Sequence, residues 1–257
     1  MPESIISLDA HPINDIAWRR SCREQLNANG VLVLRRFLQP AALNAIIGEA
    51  EKQCHQAYHT SSNHNAYLMK TDPEFSAEHP RNRDIVSTKG CITDDLIARD
   101  SPLRALYNND HFQSFLCDVL GETALYPYAD PLSSINIHYA PHGKELGWHF
   151  DNSSFAITLL LQKPLAGGVF QYVKDLRDAD AGEMNYDGVG EVLDERRAVD
   201  QLAMDPGDLV LFRGRNSLHR VTPTEGEVTR MLVVLAYNTK PGIALSENAR
   251  MTFYGRL

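Results

Sequence analysis

No stretch of this sequence approaches the ~20 consecutive apolar residues that a membrane-crossing helix requires, so no membrane partner is expected. The amino terminus, MPESIISLDA, lacks the basic start and apolar run of a secretory signal. These absences point to a cytoplasmic protein. Cysteine is scarce and scattered: Cys22, Cys54, Cys91 and Cys117 form no C-x-x-C pair. That leaves out thiolate-clamped zinc, iron–sulfur ligation and a dithiol switch, and reduced, mostly buried thiols are expected. Positive charge is also short. With 25 Lys and Arg against 33 Asp and Glu, the formal charge is −8. This argues against nucleic acid as a main partner, because phosphate binding wants a basic surface. Internal repeats and low-complexity tracts are absent.

What is present is an ordinary globular composition, 43% hydrophobic and 8% aromatic over 257 residues, enough for one large domain with a buried core. Residues 13–28 carry helix formers, and Asn29-Gly30 supplies a stop. GVLVLRRF, from Gly30, reads as a strand. A second helix is predicted after Pro40, with Leu43, Ile46, Ile47, Ala50, Cys54 and Tyr58 on one face. Residues 60–100 have no clear period and suggest a long irregular loop, of the kind that serves as a lid or substrate wall. A third helix is predicted from Ser101-Pro102 to Gly121. From about residue 132, β-rich runs follow one another: LSSINIHY, FAITLLLQ, GGVFQYV, DLVLF and VTRMLVVLAYN. The polar segment 174–200 between them reads as an insertion or wide loop. Strands at this density predict an α+β protein with a double-stranded β-helix core, a cupin-like jelly roll, and N-terminal helices packed against it. Residues 1–257 are expected to form a single domain, with 1–131 as helical support and substrate loops and 132–240 as the jelly roll.

The chemistry concentrates at Gly147-Trp148-His149-Phe150-Asp151. In an extended chain, residues two apart share a face, so His149 and Asp151 aim an imidazole and a carboxylate at one point while Phe150 turns away. His219, after the Pro206-Gly207 turn, the DLVLF strand and the GRNS link, is the best candidate for a third ligand. Two histidines and one carboxylate make the facial triad of non-haem Fe(II) oxygenases, which keeps open positions for a cosubstrate and O2. Arg230 follows His219 across a Pro/Gly turn; if the hairpin is symmetric, it lies opposite His219 on the neighbouring strand. A guanidinium there grips a carboxylate through two parallel hydrogen bonds, as the distal end of 2-oxoglutarate would require.

In this stretch the sequence resembles the Fe(II)/2-oxoglutarate-dependent dioxygenase superfamily, through His149-Phe150-Asp151, His219 and Arg230 over residues 132–240. More closely, GWHFDNSSFAITLLLQ, PGDLVLFRGRNSLHRVTPTEG and LAYNTKPG are similar to a bacterial group of lysine radical halogenases and their hydroxylase relatives, the BesD/HalD-like group. The resemblance implies oxidation of an aliphatic C–H bond in a free amino acid or similar small metabolite, with release of succinate and CO2. The halogenases of that group leave the carboxylate position to a small residue so that chloride can bind iron. Here Asp151 fills it, and hydroxylation is the expected outcome.

Other candidates have competing readings. Ser134, Asn136 and His138 share a face of the strand SSINIHY, directed either into the barrel against cosubstrate or out to solvent. Arg81 and Arg83 occupy a position resembling the substrate-binding arginines of the amino-acid halogenases, although surface arginines in a polar loop are common. Asn152 could support Asp151 or touch substrate. Trp148, Phe150 and Tyr254 read as packing, His55, His59 and His64 as surface residues, and Arg213 and Arg215 as outward ion-pair formers. The rival functions are an oxygenase acting on a peptide, base or lipid-like acid, a non-catalytic metal or metabolite sensor, and a metal-dependent isomerase.

Overall fold

A computed structural model describes residues 4–257. Helix α1 (Ile16–Asn29) begins where the Asp15 carboxylate accepts the Trp18 N–H at 2.7 Å, and ends on Gly30 at φ 72°. Both ends follow from local chemistry, since Asp is a strong N-cap and glycine tolerates the left-handed conformation. Strand β1 (Val31–Leu34) follows directly, and helix α2 (Pro40–Gln53) starts on its proline. Strands β2 (Tyr58–His64) and β3 (Ile85–Ile92) come next, then helices α3 (Pro102–Tyr107) and α4 (Asp110–Leu120). The helix expected over 101–121 is thus two helices. The Asn109 side chain accepts the Phe112 N–H at 2.9 Å, offering the backbone a new N-cap where a continuous helix would have run on.

The remaining strands are β4 (Ile135–Ala140), β5 (Leu146–His149), β6 (Ala156–Gln162), β7 (Ala166–Gly167), β8 (Phe170–Val173), β9 (Asp200–Leu202), β10 (Leu209–Phe212), β11 (Leu218–Val221), β12 (Thr224–Glu225) and β13 (Arg230–Leu235), with helix α5 (Tyr186–Leu193) before β9 and α6 (Glu247–Tyr254) after β13. The hydrogen-bonded order is β1-β10-β6-β13-β4-β3-β5-β11-β8-β9, with β2 on β3 and a separate β7–β12 pair. One wall therefore holds β4, β6, β10 and β13, the other β5, β8, β9 and β11. From β4 on, strands of the two walls alternate along the chain except for the β8–β9 pair, which is the jelly-roll pattern of a double-stranded β-helix.

Three apolar layers hold the walls. Under the N-terminal helices lies the largest, where Phe37, Phe112, Phe115, Ile137, Leu159 and Leu211 are fully buried. Between the walls, Leu160, Val210 and Phe212 meet Phe170 and Tyr172. Behind the second wall, Trp148, Phe150, Val173 and Leu218 pack with Tyr67 and α5. Arg19 ties α1 to α4 through Asp118 at 2.7 Å.

Residues 60–100 depart from the sequence reading. Strands β2 and β3 pair in unbroken register from Tyr58–Cys91 to His64–Ile85. YHTSSNH carries no apolar alternation, so its strand rests on the backbone ladder to β3, which a hydrophobic-periodicity argument does not see. The loop between them is organised rather than loose: the Asn82 amide donates to the carbonyls of Asp72 (2.8 Å) and Phe75 (2.9 Å). No helix among the described residues is long and apolar enough to cross a membrane. The central packing claim can be tested at Phe115, which is fully buried with its ring 5.4 Å from that of Trp18. Phe115→Ala is expected to cost about 3–5 kcal/mol of stability, measured by urea unfolding.

Candidate active site

Strands β5 and β11 run antiparallel with His149 directly opposite His219. Their rings lie 4.1 Å apart between centroids and both residues are buried. Each ring is oriented through its Nδ1, which donates to the carbonyl two residues earlier: Gly147 for His149 (2.8 Å) and Ser217 for His219 (3.0 Å). This arrangement leaves both Nε2 lone pairs bare and pointing the same way, the tautomer a metal ligand needs. Gly147 serves a second purpose. A Cβ there would stand 2.4 Å from the Val86 carbonyl oxygen, so only glycine lets β5 lie this close to β3.

Asp151 lies just beyond β5, held by its N–H donating to the Gly214 carbonyl at 3.0 Å. Its Oδ1 is 3.6 Å from the Nε2 of each histidine. Its Oδ2 is buried with no hydrogen-bond partner. A buried carboxylate oxygen left bare is costly, and a cation coordinated by the three side chains would remove that cost. The candidate ligand atoms of His149, Asp151 and His219 all fall within 4.8 Å of one another. Ligands about 2.1 Å from one ion at right angles would lie ~3 Å apart, near the 3.6 Å that separates Asp151 Oδ1 from each Nε2. Gly214 forms the floor of this cradle: a Cβ there would stand 1.8 Å from Asp151 Oδ2. Burial, followed by the neighbouring His149, lowers the His219 pKa to about 4. Burial raises the Asp151 carboxyl, but the two imidazoles outweigh it and bring it below its ordinary value. Neutral imidazole and ionised carboxylate form the donor set that suits Fe(II). Phe212, T-shaped to the ring at 4.9 Å, and Phe170, stacked at 5.6 Å, shield His219.

Arg230 is not on the strand beside His219. It opens β13, which pairs with β4 and β6, whereas β11 pairs with β5 and β8. The segment after His219 crosses from one wall to the other, as consecutive jelly-roll strands do, so the symmetric-hairpin expectation fails. Arg230 is opposite Ala140 on β4 and buried, and its guanidinium has no hydrogen bond or ion pair to any described residue. Burial without a counter-charge pulls its pKa down to about 10, so it remains protonated at neutral pH.

His138 shares the inner face with Arg230, and its Nε2 is 3.4 Å from Lys89 Nζ. Burial lowers its pKa strongly, and the charges of Lys89 and Arg230 lower it further. Asn136 is on the same face but engaged by the protein: its amide donates to Leu132 (2.8 Å) and Ile135 (2.9 Å), and its oxygen accepts the Tyr254 hydroxyl (2.9 Å). The arginines of the 65–84 loop bond to other parts of the protein. Arg83 pairs with Asp194 at 2.6 Å, after α5. Arg81 is buried, donates from Nη2 to Lys70 (2.9 Å) and leaves Nη1 unpartnered. Asn152 is exposed, and its carbonyl accepts from Arg215 at 3.2 Å. Arg215 pairs with Asp180 at 2.7 Å, as expected of an outward arginine, while Arg213 instead donates to the Leu120 carbonyl at 2.8 Å.

Sequence reasoning missed three neighbours of the cluster. His64 stands edge-on to His149 at 6.2 Å and bonds Ser87 Oγ at 2.6 Å. Lys89 and Gly214 complete the set, and none has a local motif that announces it. Gly214→Ala is expected to lower Fe(II) affinity at least about tenfold by displacing the carboxylate. Anaerobic titration with the fold checked by circular dichroism measures this, and an unchanged affinity would show that Asp151 is not a ligand.

A family described as halogenase D matches residues 15–251. Among solved structures, the non-haem α-ketoglutarate-dependent epimerase SnoN from nogalamycin biosynthesis aligns with a TM-score of 0.60 at 12% identity, over 87% of this chain and 81% of its own. An oxidoreductase of the 2OG-Fe(II) oxygenase family from Burkholderia pseudomallei gives 0.56 at 13% identity, over 88% and 92%. A prolyl hydroxylase from Trichoplax adhaerens gives 0.55 at 13% identity, over 92% and 95%. Likeness at these identities speaks for the shared fold. No curated protein matches the sequence. Because the family match runs through both walls and the cluster between them, the chain belongs to the halogenase D family, among the Fe(II)- and 2-oxoglutarate-dependent oxygenases.

Proposed function

We propose that this protein hydroxylates an aliphatic C–H bond of a small metabolite, a free amino acid or close derivative, with Fe(II) held by His149, Asp151 and His219 and 2-oxoglutarate anchored by Arg230. The observation that carries the reading is the bare, buried Asp151 oxygen beside two histidines whose Nε2 atoms are both free. When bound, iron and 2-oxoglutarate supply the oxidising power, coupled to loss of CO2 and formation of succinate.

The protein's own part is orientation and exclusion of water. The Gly147 and Ser217 carbonyls fix the two imidazoles, so no rotamer search accompanies metal binding. Arg230 is a buried fork of donors with no protein carboxylate to satisfy it, which suits the distal carboxylate of a dicarboxylate. Phe170 and Phe212 make the wall beside His219 apolar and keep water from it. Asp151 supports hydroxylation over halogenation within this family. Its carboxylate fills the ligand position a halide would need, and Gly214 leaves it room to do so. The substrate class follows the similarity of GWHFDNSSFAITLLLQ and PGDLVLFRGRNSLHRVTPTEG to enzymes of free amino acids.

Anaerobic protein with Fe(II) and 2-oxoglutarate is expected to develop the weak visible charge-transfer band of the chelate. The band should be absent in His149→Ala, and in Arg230→Ala it should need about a hundredfold more 2-oxoglutarate. No band in folded, iron-loaded wild type would overturn the cosubstrate assignment. Across a panel of free amino acids with chloride present, the expected products are succinate and a hydroxylated amino acid. A chlorinated product would refute the role given to Asp151, and stimulation by peptides alone would refute the substrate class.

A further inference from the structure

Lys89 belongs to a part of the chain with no motif, yet it enters the interior beside Arg230. Strand β3 pairs with β4 as Ile92–Ile137, Cys91–His138 and Gly90–Tyr139. One step further in that register, Lys89 stands across from Ala140. On the other side of β4, Arg230 is the partner of Ala140. The two cations therefore flank one small residue in the same row and on the same inner face as His138. Adjacent strands are about 4.8 Å apart, so the Lys89 and Arg230 backbones lie ~10 Å apart with only a methyl group between them. His138 feels both of them, since the Lys89 and Arg230 charges each push its pKa down.

The ammonium is also short of partners. Lys89 has no ion pair with any described residue; its Nζ faces His138 Nε2 at 3.4 Å and lies 5.4 Å from the Phe253 ring centre. Neither neighbour neutralises it. Burial lowers its pKa, and the nearest acidic groups opposing that fall are Cys91 and the Asp151 carboxylate. Two cations without carboxylate partners, facing a space floored by alanine, make a seat for an anion in a region of low dielectric. Helix α6 closes this side, with Phe253 over Lys89 and Tyr254 bonded to Asn136.

We infer that Lys89 is a second cosubstrate-binding residue, which with Arg230 clamps the distal carboxylate of 2-oxoglutarate over Ala140. The inference rests on the cosubstrate assignment above and adds a residue from outside the jelly-roll strands. In the clamp, Arg230 supplies a planar fork and Lys89 a point charge from the other side. His138, neutral between them, accepts from Lys89 and aims its ammonium.

The test compares two ligands by equilibrium titration of the charge-transfer band in anaerobic Fe(II) protein: 2-oxoglutarate, and 2-oxopentanoate, which keeps the chelating end and lacks the distal carboxylate. Lys89→Met is expected to weaken 2-oxoglutarate about tenfold or more and to leave 2-oxopentanoate unchanged. Lys89→Arg should restore part of the loss, and Lys89→Gln repeats the measurement if the Met variant folds poorly. Equal weakening of both ligands, or of neither, overturns the clamp and assigns the Lys89 charge elsewhere, such as to a substrate carboxylate. If wild type and Arg230→Met also fail to distinguish the two ligands, the cosubstrate assignment itself falls. If Arg230→Met distinguishes them and Lys89→Met does not, only the present inference falls.

Discussion

The pairing of β5 with β11 is the constraint on which the centre depends. It sets His149 across from His219, and because opposed residues on antiparallel strands share a face, both rings enter the same space. Everything else in the cluster is an adjustment to that pairing. The Gly147 and Ser217 carbonyls turn the rings, the missing side chain of Gly147 lets β3 close in, and Gly214 makes room for the carboxylate. A shift of one residue in this register would send one histidine out of the interior. The apolar layers on both sides of the second wall, around Phe150 and around Phe170, resist such a shift.

The interior carries an unusual electrostatic load. Among the described residues, the buried Arg230 guanidinium and the half-buried Lys89 ammonium have no carboxylate partner, and the Asp151 carboxylate keeps one oxygen bare. Charges in such surroundings are costly unless paired. Surface arginines of the same chain find carboxylates readily: Arg83 has Asp194, Arg215 has Asp180 and Arg256 has Asp95. Arg230 and Lys89 find no such partner among the described residues, and the proposed cosubstrate anion would supply the missing charge.

Much of this was legible from local pattern. His149 and Asp151 are two residues apart, and a spacing of two has a direct meaning in extended backbone. The strands from Ile135 onward alternate or run apolar because their faces are buried, and the Asp15, Gly30 and Pro40 signals mark α1 and α2 by their own chemistry. The strand Tyr58–His64 was not legible, since its polar side chains record nothing of the backbone ladder that holds it. Nor was the break at Asn109, where one side-chain cap outweighs a continuous helical pattern.

The sequence by itself determined which donors exist and which of them are neighbours: an imidazole and a carboxylate at strand spacing, a later histidine, and an arginine past a Pro/Gly turn. Only the tertiary structure decided which wall each occupies. It placed Arg230 across the interior from His219 rather than beside it, brought Lys89 from a polar segment into the same row, and kept Arg83 at an ion pair with Asp194. The reason is physical. Side-chain direction along a strand is set by a period of two residues, but the partner of a strand is set by burial of whole faces, a property of residues far apart in the chain.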